Sequence, residues 1–308
     1  MDDFTAAGGQ HVLGIDIGGT NFRMGIVDRA YALSRFERYG CRETLGGEGS
    51  GVDRLIQVIR DYLDRNADIP VCGIAVGVPG QVSKDHSTVY SIPKVRWIEN
   101  CELGRLISEA TGLPVYVGHD VNFLLMHDIR TMDLDPDGDR TILAFYIGTG
   151  FGNALYINGR IHNGSHGVAG ELGHVPLYGV TDVCNCGKVG CVETRCCGQC
   201  LAELTAREFP DCHIGEVFTK HGDDPRIIRF VKDCALPIAT EITILDPDCI
   251  LMGGGVISMK DFPLELLESE IRARSRVTSP IRILYASESQ TNGVLGGCML
   301  FFDAMRQS

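Results

Sequence analysis

One histidine and three cysteines fall at metal-ligand spacing in GELGHVPLYGVTDVCNCGKVGCVE, the stretch from Gly170 to Glu193. His174, Cys184, Cys186 and Cys191 form a one-His, three-Cys set able to close a tetrahedral Zn²⁺ site. Gly187 and Gly190 stand between the thiols, where a chain wrapping an ion must turn tightly and take positive φ. Without a metal the same residues would be ordinary buried thiols, but the ordered pattern C-x-C-G-x-x-G-C-x-E favours a knuckle. A site closed by four protein ligands leaves no open position for metal chemistry, so the ion would be structural. Its use would be to hold polar side chains. Glu171, three residues before His174, faces the same side of a helical turn, and Glu193 follows the last ligand by two. With the metal on one imidazole nitrogen, the other is left for a hydrogen bond, and the three residues form a wall for a polar ligand. A second thiol set, Cys196, Cys197 and Cys200, has no paired histidine or glycine turns and is the weaker metal candidate.

Three further stretches carry chemistry of another kind. In HVLGIDIGGTNFRMGIV, from His11 to Val27, Asp16 closes an apolar run and Gly18, Gly19 and Thr20 form a turn whose amides suit a phosphate. Asp16 there suits a metal-bound water; the alternative is a hairpin turn with a capping Asp. TILAFYIGTGFGNALYIN repeats the design, with Gly148, Thr149, Gly150 and Gly152 as a second phosphate turn. In VYVGHDVN, His119, Asp120 and Asn122 lie where a strand gives way to a helix, so Asp120 is either a reactive carboxylate or a helix cap. Gly77-Val78-Pro79-Gly80 and Gly253-Gly254-Gly255 follow apolar runs and allow a ligand close to bare backbone.

The elements that must position these residues follow from periodicity. Leu55, Ile56, Val58, Ile59, Tyr62 and Leu63 make the stripe of an amphipathic helix over Val52 to Leu63. Further helices are expected at Leu103 to Ala110, stopped by Gly112 and Pro114, at Gln199 to Phe209, at Ile227 to Leu245 with a kink at Pro237, and at Thr291 to Phe302. Two strand-turn-strand phosphate loops in one chain predict two related α/β lobes facing a cleft. A length of 308 residues supports two cores. Hydrophobic content of 44% and charged content of 22% are those of a soluble protein. No apolar run reaches membrane-span length and the acidic N-terminus is unlike a secretory signal, so a cytoplasmic location is expected. The odd count of 13 cysteines suits a reducing compartment better than a disulfide framework. A formal net charge of −12 speaks against nucleic-acid and anionic-membrane partners.

Taken in order, the motifs resemble the ROK family of repressors, open reading frames and sugar kinases. They are DIGGT at Asp16, GVPG at Gly77, HDVN at His119, GTGFG at Gly148, G-x-x-G-x-A-G-E-L-G-H from Gly164 to His174, the knuckle and GGG at Gly253. The resemblance spans nearly the whole chain. It implies the two-lobed actin-like ATPase (ribonuclease H-like) fold, each lobe on a βββαβαβα core, with an interdomain cleft. Residues 1–118 with 291–308 would make the N-terminal lobe, and 119–290 the C-terminal lobe carrying the knuckle and nucleotide glycines. It implies ATP with Mg²⁺, structural Zn²⁺, a hexose phosphorylated on its primary hydroxyl and, by the habit of relatives, a homodimer. Asp120 matches the family's catalytic base, Asp16 its magnesium-shell carboxylate, and Thr20 and Thr149 its phosphate donors. Gly254 and Gly255 would border the adenosine. Gly80, Lys94, His119, Asn122, Glu171, His174 and Glu193, with Asp120, would contact the sugar.

Two departures bear on the substrate. The family's common hexokinases have Asn before the catalytic Asp, where this chain has His119, and read P-N-L where Pro93-Lys94-Val95 stands here. Val82 to Asp85, HGVAGELGHVPL and DPDCILMGGGVISMKDFP resemble the family's bacterial D-allose kinases more than its glucokinases. The expected reaction is therefore ATP-dependent conversion of D-allose to D-allose 6-phosphate, with glucose and N-acetylmannosamine as the other sugars in view. From a different class, a sugar-responsive repressor would need a helix-turn-helix domain ahead of His11, for which ten residues give no room. A non-catalytic zinc-stabilised sensor would need neither Asp16 nor Asp120.

Overall fold

The computed structural model describes residues 10–47, 49–91, 96–135, 137–277 and 280–307. The chain groups into two compact units, one of residues 1–134, 163–168 and 289–308, the other of 135–162 and 169–288.

In the first unit β1 (His11–Ile17), β2 (Asn21–Asp28) and β3 (Leu33–Gly40) form an antiparallel meander. After α1 (Cys41–Leu45) and α2 (Gly51–Arg65), β4 (Val71–Val78) joins β1 in parallel. A small ribbon of β5 (Gln81–Val82) and β6 (Val89–Ser91) precedes α3 (Leu103–Thr111), and β7 (Val115–His119) completes the sheet order β3-β2-β1-β4-β7 before α4 (Asp120–Thr131). VCGIAVGV in β4 is apolar on both faces because its strand is central and covered on both sides. α2 buries Val52, Leu55, Ile59 and Tyr62, and Ser50 caps it by accepting a hydrogen bond from the Asp53 amide at 3.1 Å. α3 stops at Gly112, whose φ of 71° closes the helix in the left-handed region.

The second unit repeats the plan. β8 (Ile142–Ile147), β9 (Phe151–Ile157) and β10 (Arg160–Ile161) are antiparallel. Then come α5 (Gly198–Glu208), α6 (Val217–His221) and α7 (Pro225–Leu245), which runs on through a buried Pro237. β11 (Cys249–Gly253) joins β8 in parallel, α8 (Leu264–Arg274) follows, and β12 (Arg282–Tyr285) gives the order β10-β9-β8-β11-β12. Both sheets thus have one strand order and one pattern of directions. Neither α8 nor β12 is expected from the sequence, since charged residues interrupt the first and the second is only four residues long.

The last helix, α9 (Asn292–Gln307), belongs to the first unit and packs on α4, β1 and β4. Four glycines make room for Phe123 there. A methyl group on Gly77, Gly118 or Gly297 would lie 2.9, 2.6 or 2.4 Å from the Phe123 ring, and one on Gly296 would lie 1.8 Å from its carbonyl oxygen. This packing places α4 in the first unit, whereas the expected boundary at residues 118 and 119 assigned it to the second lobe. A boundary drawn at the motif cannot register that a helix follows its buried face.

Candidate active site

Register sets the first cluster. Asp16 stands opposite Gly77 across β1 and β4, and Val78 stands opposite His119 across β4 and β7, so the carboxyl ends of three adjacent strands lie side by side. This is the edge at which open α/β sheets bind ligands. Asp16 is largely enclosed, with 16% of its side chain exposed; burial pushes its carboxyl up while the Arg23 guanidinium, 3.5 Å away, opposes the shift. Gly293 of α9 lies directly against it, since a methyl there would be 2.5 Å from the carboxyl carbon. An enclosed carboxylate with one long ion pair beside an exposed glycine turn fits the water shell of a divalent cation.

The turn at Gly18 to Thr20 is held from outside, with Thr20 O accepting from the Cys41 amide at 2.8 Å and Gly18 O from the Cys41 thiol at 3.1 Å. The Gly18 amide itself donates to Asn21 O, closing the turn. Gly19 and Thr20 are exposed at its tip. Gly80 is buried and its amide donates to Val78 O.

Asp120 is the first residue of α4, and the N-cap position belongs to His119. Its Oδ1 accepts from the adjoining Val121 amide at 2.8 Å and lies 3.5 Å from His119 Nε2. The cap reading of Asp120 therefore fails on position, and the carboxylate sits at the carboxyl end of β7 with 23% of its side chain exposed. Asn122, nearly buried, donates its side-chain amide to Asn163 Oδ1 at 2.8 Å. Lys94 lies outside the described residues.

The second unit brings its glycines together in the same way. Val256 N donates to Ile147 O at 2.9 Å, and Gly254, with φ of 94°, packs so closely that a methyl group would lie 2.6 Å from the Ile147 carbonyl. The turn after β8 and the glycines after β11 are thus neighbours. Gly148 N closes its own turn on Gly150 O, as Gly18 does in the first unit, while Thr149 and Gly255 are exposed. The carbonyls of Gly148 and Thr149 accept from the Gly198 and Gln199 amides at the start of α5, at 2.7 and 3.3 Å.

The knuckle converges as the spacing predicts. The ligand atoms of His174, Cys184, Cys186 and Cys191 all lie within 4.8 Å of one another, the one such group among the described residues. Cys184 Sγ is 3.6 Å from His174 Nδ1 and Cys186 Sγ is 3.7 Å from Cys191 Sγ. These are the edges of a tetrahedron built on bonds of about 2.1 to 2.3 Å, so the residues fit zinc. Gly187 and Gly190 have φ of 88° and 82°, and a methyl on Gly190 would lie 2.6 Å from Val180 O. Burial pushes the Cys191 thiol up to about 12, a cost that a bound cation would reverse. Glu171 immediately precedes a 3₁₀ turn, Leu172–His174, and its Oε2 lies 3.8 Å from His174 Nε2. With Nδ1 toward the thiols, Nε2 and Glu171 form the polar face. Glu193 accepts from the Phe151 amide at 2.8 Å, which ties it to the start of β9.

Among the described residues the Cys196, Cys197 and Cys200 set does not converge as metal ligands. Cys197 precedes α5, and the Cys197 and Cys200 amides each donate to the other residue's sulfur, while Cys196 is fully enclosed in the core. Sequence reasoning missed Arg23 and Asn163. The first was legible, because the register of a hairpin turning at Gly18 to Thr20 pairs Asp16 with Arg23; the second had no signal, since its partner lies 41 residues away.

The model of the ROK family matches residues 12–304. This chain belongs to the ROK family. An N-acetyl-D-glucosamine kinase of Histophilus somni is 27% identical over 312 residues, covering 94% of this chain and 98% of its own. A xylose repressor of Caldicellulosiruptor bescii is 24% identical over 314 residues, with 94% of this chain and 77% of the repressor covered. In fold the chain is similar to a ROK glucokinase of Streptomyces griseus crystallised with glucose and AMPPNP, at TM-score 0.74 and 23% identity, covering 97% of this chain and all of the other. The ROK chain thus has the actin-like α/β architecture expected of it. Among its described residues no helix is long and apolar enough to cross a membrane.

Proposed function

We propose that this ROK protein is an ATP-dependent sugar kinase that phosphorylates the 6-hydroxyl of a hexose, with D-allose as its substrate. The observation that carries the reading is Asp120, a carboxylate set at the carboxyl end of β7 on the sheet edge that also presents Asp16 and the Gly18 turn. Asp120 takes the proton as the sugar oxygen attacks the γ-phosphorus and the bond to the ADP oxygen breaks. In a loose phosphoryl-transfer transition state, positioning and charge neutralisation do most of the work, so the base chiefly orients the nucleophile. Mg²⁺, when bound, supplies that neutralisation, and Asp16 would hold its water shell. Thr20 and Thr149 donate hydroxyl groups to phosphates, and Gly254 and Gly255 border the adenosine. Glu171, His174 and Glu193 read sugar hydroxyls, and zinc, when bound, would anchor His174.

The preference for allose rests on His119 and on Lys94. His119 stands beside the base, 3.5 Å from its carboxylate, in the place where the common hexokinases have Asn. A buried partner left unpaired by the wrong epimer costs about 1 to 3 kcal/mol, roughly tenfold to a hundredfold in kcat/KM. An ATP-coupled screen over aldohexoses and N-acetylhexosamines tests the reading. D-Allose should lead D-glucose, and His119→Asn should lower allose turnover before it improves glucose. Faster use of glucose or an N-acetylhexosamine by the unmodified protein would reject allose, and no phosphorylation of any sugar would favour a sugar-responsive regulator like the xylose repressor relative.

A further inference from the structure

The thiols at the start of α5 have no part in the proposed phosphoryl transfer, yet their geometry is specific. Cys197 and Cys200 are spaced C-x-x-C, the first on an extended backbone just before the helix and the second in its first turn. Cys197 N donates to Cys200 Sγ at 3.1 Å, and Cys200 N donates to Cys197 Sγ at 3.5 Å, so each sulfur lies over the other's backbone. The Cys200 thiol also holds the Cys197 thiol below its ordinary range, against the effect of burial. A thiolate at a helix N-terminus with a second thiol three residues on is the arrangement of dithiol redox motifs. Cys196, Cys197 and Cys234 are buried, whereas Cys200 is partly exposed and is the sulfur a small molecule would meet first, although its hydrogen bond with Cys197 and burial push its thiol up.

The two residues between the thiols carry the consequence. Gly198 and Gln199 donate their amides to Gly148 O and Thr149 O, and a methyl on Gly198 would lie 2.6 Å from Gly148 O. These contacts tie the short loop to the turn after β8. We propose that Cys197 and Cys200 form a reversible disulfide site for low-molecular-weight disulfides, and that closing it displaces the Gly148–Thr149 turn and weakens ATP binding. In the reaction one thiolate of the pair attacks a sulfur of the small disulfide, whose S–S bond breaks to release one thiolate. The remaining cysteine gives its proton to solvent and attacks the mixed disulfide at the protein sulfur, releasing the second thiolate. Two cysteine sulfurs lose two electrons and the small disulfide becomes two thiols. Closure removes the reciprocal caps between the two residues, because the sulfurs must approach to about 2.05 Å.

The thiol site stands on its own geometry, whereas its effect on ATP rests on the kinase reading. The zinc-loaded full chain is incubated with oxidised glutathione, digests are mapped by mass spectrometry, zinc release is followed, and binding of a non-hydrolysable ATP analogue is measured by calorimetry. The expected product is a Cys197–Cys200 link formed with zinc retained and reversed by dithiothreitol. Linked protein should bind the analogue about tenfold more weakly, the worth of one or two hydrogen bonds. Cys200→Ser should bind it as reduced wild type does and ignore the oxidant. Links confined to Cys184, Cys186 and Cys191, a stable glutathione adduct with no internal link, or unchanged affinity in linked protein would each overturn the proposal. Reduced wild type that binds no analogue would sink the kinase reading and the effect on ATP with it, while the map still decides the thiol site.

Discussion

Asp120 and the knuckle cysteines make the sharpest claims at the scale of single residues. Asp120→Asn keeps the shape and the acceptor for the Val121 amide but removes the charge that takes the proton in the proposed reaction. Its kcat should fall by about 10²-fold or more while sugar affinity, measured by calorimetry, stays close to wild type. Retained activity within a few-fold would leave Asp120 a first-turn acid that favours the helix dipole and nothing more. Cys184→Ser, Cys186→Ser and Cys191→Ser should each lower bound zinc and sugar affinity together, because His174 Nδ1 faces the thiols and loses its anchor with them. Metal analysis beside sugar titration checks this, and a metal-free protein of full affinity would refute the coupling.

At the scale of elements, the α4–α9 contact decides where Asp120 sits. Phe123 lies three residues beyond it, locked among Gly77, Gly118, Gly296 and Gly297. Gly296→Ala puts a methyl 1.8 Å from the Phe123 carbonyl, so the two helices must separate. Overpacking of this kind costs about 1 to 3 kcal/mol. Thermal unfolding should therefore occur at lower temperature, and kcat should fall although no atom of the proposed chemistry is removed, since α4 carries the proposed base at its first position. An unfolding temperature equal to wild type would mean that the helices yield freely and that the glycines do not set the site.

For the whole molecule, the second unit carries a built-in pH dependence of stability. Glu241 of α7 receives the Asn153 side-chain amide at 2.8 Å inside that unit, and burial raises its carboxyl to about 7 despite this bond. Asn153 Oδ1 is buried without a partner. A carboxyl raised above its unfolded value of 4.5 leaves the folded state with more bound protons between the two values, so stability falls as pH rises from about 4.5 through 7. The full effect is ~3 kcal/mol at most. Glu241→Gln should flatten this limb and raise stability near pH 8, a result read from denaturant midpoints across the pH series. An unchanged slope would show that Glu241 ionises freely.

How much of this was open to inspection in the chain alone differs by the range of the interaction. The knuckle, the paired glycine turns and most helices were legible because each rests on local chemistry. Ligand spacing, positive-φ glycines and a 3.6-residue stripe act over a few residues, and His174, Gly187, Gly190 and α2 adopt the forms their neighbours dictate. Tertiary structure alone decided the rest. That Asp16, Gly77 and His119 end level depends on strand register, that α4 falls with the first unit depends on four glycines from three elements round Phe123, and that Asn122 meets Asn163 depends on a chain crossing. Burial raises the Asp16 and Glu241 carboxyls, because desolvation is a property of the surroundings and not of the residue. The Gly18 and Gly148 amides likewise close their turns instead of remaining open for phosphate, a choice set by the oxygen each finds within reach.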